Sequence, residues 1–246
     1  MRYLILSDLH GNLEALQAVL AHAGSEYDRI LCCGDLVGYG ADPDAVTEWV
    51  RSSVAAIVRG NHDKACAGLE DLEWFNPVAR VSAVWTQKVM KRENLDYLRE
   101  LAKGPEQVDG FEILHGSPVD EDEYLVTGVD AAQVAPYLDS SLGFFGHTHL
   151  QGGFLFHRNG VKRLRSTGPH SDSEALELEP DVRYLINPGS VGQPRDGDWR
   201  AAYAVYEPEA RLVTFRRTEY DVASAQKKIL AAGLPDMLAL RLAVGV

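Results

Sequence analysis

Long apolar runs are missing from this 246-residue sequence. Tyr3 to Leu6 is the first apolar stretch, and it leads straight into Ser7-Asp8-Leu9-His10, too short and too soon polar for a cleaved leader. Nothing later approaches the roughly 20 residues that a membrane-spanning helix requires, so no membrane association is expected. Cysteine is scarce. Of the three, Cys32 and Cys33 are adjacent on an expected strand, where neighbours point to opposite faces, so a disulfide framework is excluded and a reducing, cytoplasmic setting is expected. Positive charge is short as well: 24 Lys and Arg against 36 Asp and Glu leave a formal charge of -12, which repels an extended nucleic acid backbone. A small phosphorylated substrate stays open. Low-complexity tracts are also lacking, which excludes a disordered arm.

What is present is an ordinary globular composition, 46% hydrophobic and 24% charged, in a length that suits one large α/β domain over residues 1–246. The first third alternates short apolar runs with amphipathic stretches, the signature of βα units feeding a largely parallel sheet. Strands are expected at Arg2 to Leu6, Arg29 to Cys33 and Val54 to Val58. A helix follows the first, capped by Asn12, carrying Leu13, Leu16, Val19 and Leu20 on its apolar face and ending at Gly24. Pro43 opens the next, with Val46, Trp49 and Val50 inward. Residues 64–103 read as a helical cap insertion, with Pro77 near a helix start and Val81, Val84, Trp85, Val89 and Met90 as its stripe. An apolar stripe in this cap or in the tail would serve a homo-oligomer.

Further strands are expected at Phe111 to Leu114 and Gly143 to Phe145. A hairpin turning on Asn159-Gly160 follows, and Tyr184 to Ile186, Ala201 to Tyr206 and Leu212 to Phe215 would build a second sheet packed on the first. Ser166 to Asp181 reads as an acidic loop, and Val222 to Leu242 as two short helices parted near Gly233 and Pro235.

The polar residues arrive where strands stop, and ligands of open α/β sheets bind beyond the carboxyl ends of strands. Asp8 and His10, one residue apart, project to one side of an extended segment and can grip one ion. Asp35, Asn61, His115, His147 and His149 also fall at expected strand ends, on the same edge of the same sheet. Oxygen and imidazole donors suit manganese, iron, zinc, cobalt or nickel, and no cysteine occupies such a position to suggest a thiolate-bound zinc. Gly34, Gly60 and Gly146 would let the backbone turn sharply beside the donors. His22 and His157 read as surface or packing residues, and His170 has no spacing argument. Cys66 reads as a small buried hydrophobe. Trp74, Phe75 and Trp85 read as glue between helices, ahead of a platform for a base or aryl group.

The ordered set Asp8-x-His10, Gly34-Asp35, Gly60-Asn61-His62-Asp63, His115 and Gly146-His147-x-His149 resembles the calcineurin-like metallophosphoesterase superfamily. Asn187 to Arg195 further resembles its small bacterial and archaeal phosphodiesterase-like branch. The resemblance implies a four-layer α/β/β/α sandwich of two packed mixed sheets and a site for two divalent metal ions, manganese foremost. It gives Asp8, His10, Asp35 and His149 to the first ion and Asp35, Asn61, His115 and His147 to the second, with Asp35 bridging, and a hydroxide between the ions attacking phosphorus in line. It makes His62 the residue that stabilises or protonates the leaving alkoxide. Asp63 follows directly and would orient His62 through its other ring nitrogen. Asn61 and Arg195 are the expected substrate contacts, the latter as a bidentate clamp on a phosphoryl oxygen or, alternatively, as half of a structural ion pair.

The expected function is therefore a metal-dependent phosphodiesterase or phosphatase acting on a small phosphate ester. A protein or dinucleoside-polyphosphate phosphatase is weakened because Gly38-Tyr39-Gly40 carries no arginine and Asp63, in place of a glutamate, follows His62. A nuclease lacks its basic patch. A noncatalytic scaffold of the same superfamily would have lost metal or catalytic residues, and all are present here.

Overall fold

The computed structural model describes residues 1–165, 167–168 and 171–246, the side chain of Trp74 excepted; Ser166 and His170 lie outside the described residues. Among the described residues twelve strands form two sheets. The first runs β3-β2-β1-β11-β12-β9, from β1 (Tyr3–Leu6), β2 (Arg29–Cys32), β3 (Ala56–Ile57), β9 (Ser173–Glu177), β11 (Ala201–Glu207) and β12 (Leu212–Thr218). The second runs β4-β5-β6-β10-β7-β8, from β4 (Glu106–Val108), β5 (Phe111–Ile113), β6 (Leu142–Phe144), β7 (Gly152–His157), β8 (Gly160–Leu164) and β10 (Arg183–Asn187). Each sheet holds three parallel strands, β1, β2 and β3 in one and β5, β6 and β10 in the other, continued by antiparallel neighbours.

Three apolar clusters mark three interfaces between four layers. Tyr3, Ile5, Leu31 and Cys33 face Phe111, Ile113, Phe144 and Ile186 between the sheets. The alternate residues Leu4, Leu6 and Cys32 face outward under α1 (Leu13–Ala23), α2 (Pro43–Ser53), α7 (Val222–Ala231) and α8 (Asp236–Leu240). On the far side, Leu114, Phe145 and Phe154 pack under Ala131 and Val134 of α6 (Gly128–Val134). The two-residue period of the strands thus supplies both faces of each sheet from one short sequence, and Cys32 and Cys33 part as expected. All three cysteines are free and buried.

Residues 64–103 contain the end of α3 (Asn61–Cys66), α4 (Pro77–Val89) and α5 (Arg92–Glu100), and their buried Ala65, Cys66, Ala79, Ala83 and Leu98 join the outer cluster over the first sheet. The inward face of α4 differs from the expected stripe. Ala79, Ser82, Ala83 and Thr86 face inward, whereas Val81, Val84 and Val89 are 44–48% exposed. Small residues let α4 approach α3 closely, so bulk went to the outside; only Met90 of the stripe is buried, with Trp85 partly so. Among the described residues no helix is long and apolar enough to cross a membrane.

Four other expectations need correction. The later strands do not build the second sheet alone: β11 and β12 join β1, while β10 joins β6. The acidic stretch after β8 is not all loop, since Ser173–Glu177 pairs with β12 as an edge strand whose exposed glutamates disguise it. His157 pairs with Gly160, so the hairpin turns on Arg158-Asn159, and Gly160 with φ 128° opens β8. The third strand is two residues long, because the chain turns into α3 almost at once.

Candidate metal centre

The six parallel strands carry the polar residues to one place, from two sheets and not from one edge of a single sheet as expected. Asp8 and His10 follow β1, Asp35 follows β2 and Asn61 opens α3 after β3. From the facing sheet, His115 follows β5, and His147 and His149 follow β6. Backbone bonds lace the loops together: Asp8 N donates to Gly34 O (2.9 Å), His10 N to Asp35 O (3.0 Å) and Gly146 N to His115 O (2.8 Å). Across the sheets, His147 N donates to Asp8 Oδ1 (3.1 Å) and Ser190 Oγ to the Asp8 carbonyl (2.8 Å). The Asn187 to Arg195 segment is thus the strap between the halves, with Asn187 Nδ2 donating to Gly146 O at 2.8 Å.

These loops are held in strain. Asp8, His10, Asp35, His147 and His149 have φ of 53, 47, 56, 64 and 59°, the left-handed region that side chains rarely enter. Strain of this kind persists where the surroundings over-determine it and clusters at functional sites. The expected reason for glycine at Gly60 is corrected: its φ of -94° is ordinary, and what matters is space, because a Cβ there would lie 2.0 Å from Asp35 Oδ1. Gly34, with φ +96°, needs both the conformation and the room.

Two groups of donors emerge, each within 4.8 Å of one another: Asp8, His10, Asp35 and His149, and Asp35, His115 and His147. Asp35 belongs to both. Its Oδ2 lies 3.6 Å from His10 Nε2 and 3.5 Å from His115 Nε2, between the groups, while its Oδ1 accepts from His62 N at 2.8 Å. Asn61 Oδ1 stands 3.2 Å from His115 Nε2, beside the second group.

The tautomers follow from the backbone, since a carbonyl oxygen only accepts. His10 Nδ1 donates to Val37 O (3.0 Å), His149 Nδ1 to Gln193 O (2.6 Å), His115 Nδ1 to Cys33 O (2.7 Å) and His147 Nε2 to Asp122 O (3.1 Å). The other ring nitrogen of each neutral imidazole is therefore a lone pair. His10 Nε2 and His149 Nε2 face each other at 3.1 Å, where two lone pairs repel unless a cation lies within reach of both. Burial holds the pKa of both rings well below the usual histidine value, so a shared proton is a poor substitute. Asp8 Oδ2 is buried without a hydrogen-bond partner. A fully buried set of lone pairs and carboxylates with this geometry fits divalent cations, and carbonyl-anchored imidazoles are how proteins orient such ligands.

Charge in the metal-free site is divided accordingly. Burial raises the Asp8 carboxyl to about 7. Burial opposes the charged form of His115, yet the adjacent Asp35 carboxylate wins and lifts it to about 10, while Asp35 is held well below the usual range chiefly by His115 against the effect of burial. Cation loading must displace the proton that Asp8 holds below pH 7 and that of His115. Affinity should therefore rise between pH 6 and 8 with net proton release; titration calorimetry in buffers of differing ionisation enthalpy reads the protons, and a pH-independent affinity would contradict it.

His62 is 4% exposed, and its ring lies against His10 (centroids 5.0 Å), Tyr39 (4.3 Å) and Phe75 (5.5 Å). It lines an open cleft of about 390 Å³ together with Asn61, Phe75, Tyr124 and His147. Phe75 thus faces the cleft as well as its neighbouring helices, and the Trp74 side chain lies outside the described residues. The expected role of Asp63 is overturned. Its carboxylate accepts from the backbone N–H groups of Asp35 (2.9 Å), Leu36 (2.8 Å), Val37 (3.3 Å) and Gly60 (3.0 Å), whereas His62 Nδ1 is buried with no partner and sits against Gly38. Asp63 is a pin between the loop after β2 and the start of α3. Asp63→Ala, leaving those donors buried and unmet, should cost about 3 kcal/mol and lower Tm by roughly 10 °C; a melt within 2 °C of the parent, on the order of experimental scatter, would leave the pin without function.

Arg195 reaches the site from the strap. Its Nε and Nη2 donate to Gln193 Oε1 (3.2 and 2.9 Å), its N donates to His149 O at 3.2 Å, and its Cζ lies 5.6 Å from the centre of the Tyr39 ring. The ion-pair alternative is not realised: among the described residues no carboxylate lies within 4.0 Å of its guanidinium. Sequence reasoning missed Tyr39 and Tyr124, which stand over the site. Flanking Gly38 and Gly40 were the available signal for the first; the acidic run before Tyr124 offered none. His22 and His157 stand apart from both donor groups, with His22 Nδ1 on Tyr203 Oη at 2.9 Å.

Comparison with known proteins agrees with this geometry. The calcineurin-like phosphoesterase superfamily domain matches residues 1–211. An uncharacterized protein of Methanocaldococcus jannaschii is 37% identical over 254 aligned positions, 98% of this chain and 97% of its own length. The crystal structure of a metallophosphoesterase from Sphaerobacter thermophilus is 43% identical and superposes with a TM-score of 0.87 over 100% of this chain and 99% of that one. A hypothetical protein from Pyrococcus horikoshii OT3, 19% identical, shares the fold at a TM-score of 0.78 over 100% and 98% of the two chains. Two packed mixed sheets, a buried His/Asp cluster at their shared edge and these matches lead to one conclusion: the chain belongs to the calcineurin-like phosphoesterase superfamily.

Proposed function

We propose that the chain is a dinuclear metal-dependent phosphoester hydrolase acting on a small phosphate ester, with phosphodiesters as the leading substrate class. The observation that carries this is the pair of imidazole lone pairs facing each other at 3.1 Å beside a carboxylate oxygen shared by two donor groups. Asp8, His10, Asp35 and His149 would hold one ion and Asp35, Asn61, His115 and His147 the other. Two divalent ions, manganese foremost and iron, zinc, nickel or cobalt as alternatives, would supply Lewis-acid polarisation of the ester and an acidified water.

The chain's own residues do the rest. Carbonyl-anchored histidines keep their lone pairs aimed inward without reorganisation. Buried Asp35 stays ionised between the two groups. His62, at the border between the donors and the cleft, is neutral at pH 7 because burial lowers its pKa to about 4, and its single proton belongs on Nε2, since the partnerless buried Nδ1 is less costly as a bare lone pair than as an unmet donor. From the wall of the cleft that N–H would donate a hydrogen bond to the departing oxygen and stabilise its developing charge, with the proton itself coming from solvent in the open cleft. Arg195, with no carboxylate partner among the described residues, would clamp a phosphoryl oxygen. The cleft of about 390 Å³ suits a small leaving group, and three free thiols suit a reducing, cytoplasmic setting.

The test is hydrolysis of bis(p-nitrophenyl) phosphate and p-nitrophenyl phosphate by metal-stripped protein with Mn, Ni, Co, Zn or Mg restored. Metal-restored cleavage of the diester supports the reading. Protein that binds two ions yet cleaves neither ester under any metal would overturn it in favour of a scaffold role.

A further inference from the structure

Two tyrosines close over the donor groups from opposite sheets. Tyr39, in the loop after β2, is held at φ 65° with its N–H on Ser82 Oγ at 2.5 Å, and its ring lies 4.8 Å from that of His10 and 4.3 Å from that of His62. A bulky side chain with positive φ is a conformation that surrounding structure must enforce, and here it turns the phenol over the first donor group. Tyr124, in the loop after β5, lies on His147 with ring centroids 3.8 Å apart and is 52% exposed at the cleft. The second group is thereby covered from the other side.

Arg195 meets both. Its guanidinium stands over the Tyr39 ring and hydrogen-bonds the phenolic oxygens of Tyr39 and Tyr124. Of the five N–H donors that a guanidinium carries, the Nε and one Nη2 donor are used on Gln193, others serve the two phenolic oxygens, and among the described residues none meets a carboxylate. Phenols keep their protons at neutral pH and can donate. A guanidinium and two hydroxyls are thus brought by three loops to one point above two donor groups, and each phenol, accepting from the arginine, still has its own O–H to give to an anion. Their approach from three directions suits a tetrahedral oxyanion better than a planar carboxylate.

We propose that Tyr39, Tyr124 and Arg195 form a three-donor claw for phosphoryl oxygens, which makes both tyrosines substrate-binding residues. This rests on the hydrolase reading above and deepens it. The claw holds the oxygens that the cations do not, and leaves the side lined by His62 and Phe75 open for the leaving group.

The experiment measures binding of inorganic phosphate to the full chain loaded with manganese, by calorimetry, with metal content determined in parallel, for the parent, Tyr39→Phe, Tyr124→Phe and Arg195→Gln. Phenylalanine keeps the ring on its histidine and removes the hydroxyl alone. Each Phe variant should bind phosphate about tenfold more weakly, and Arg195→Gln more weakly still, with two ions per chain retained. Affinities within twofold of the parent in both Phe variants overturn the claw. Loss of metal in those variants overturns it too, since the rings would then be positioning the histidines. A parent that holds two ions but binds no phosphate removes the claw and leaves the metal centre standing, whereas a parent that holds no metal brings down the hydrolase reading with it.

Discussion

Asp35→Asn is expected to lower metal content from two ions per chain to one or none and to reduce metal-dependent ester cleavage by roughly 10³-fold or more, the loss of several kcal/mol of charge stabilisation. The reason is position. One oxygen lies 3.6 Å from His10 Nε2 and 3.5 Å from His115 Nε2, so a single neutralisation weakens both donor groups at once. The fold should survive, because the amide oxygen can still accept from His62 N, the bond Asp35 Oδ1 makes at 2.8 Å. The variant also removes the carboxylate that holds His115 protonated in the metal-free protein, so His115 should titrate lower than about 10. Elemental analysis and the nitrophenyl assays read the result; two ions retained at full activity would mean that Asp35 is not the shared ligand.

The second large effect is expected at His62. His62→Ala should keep both ions and the melting temperature close to the parent while turnover falls by about 10² to 10³, the range for losing one hydrogen-bond donor to a developing oxyanion. Among the described residues no hydrogen bond ties its ring to either donor group, and the residue lies at the cleft border. The loss should shrink for a substrate such as p-nitrophenyl phosphate, whose leaving group departs without a proton, and grow for an alkyl ester. Equal losses on both would assign His62 to phosphoryl binding and not to the leaving oxygen. Because Asp63 is committed to four backbone donors, Asp63→Asn should not mimic His62→Ala in this leaving-group dependence.

Much of the molecule could be read from local pattern. Asn12 caps α1 through Ala15 N, Gly24 ends it, Pro43 opens α2, and the tail divides into two helices near Gly233, all as the spacing predicts. The hairpin Val108–Phe111 was legible and overlooked: Asp109-Gly110, with φ 46 and 94°, is the two-residue turn that such a pair favours. Helix α6 was missed as well, although Thr127 and Asp130 form a capping box at its start.

What sequence alone determined about this protein is the chemistry of the donors and their place at strand ends, because side-chain type and a strand's length are local properties. The tertiary structure decided which strands lie together. Pairing of β1 with β11, more than 190 residues apart, is a matter of packing two sheets and has no local signal, so the site turned out to span two sheets where one was expected. It also decided which face of α4 turns inward, which partners Asp63 takes and where Tyr39, Tyr124 and Arg195 converge. Each of those depends on distances between loops that are remote along the chain and are set only when both sheets bury their common face.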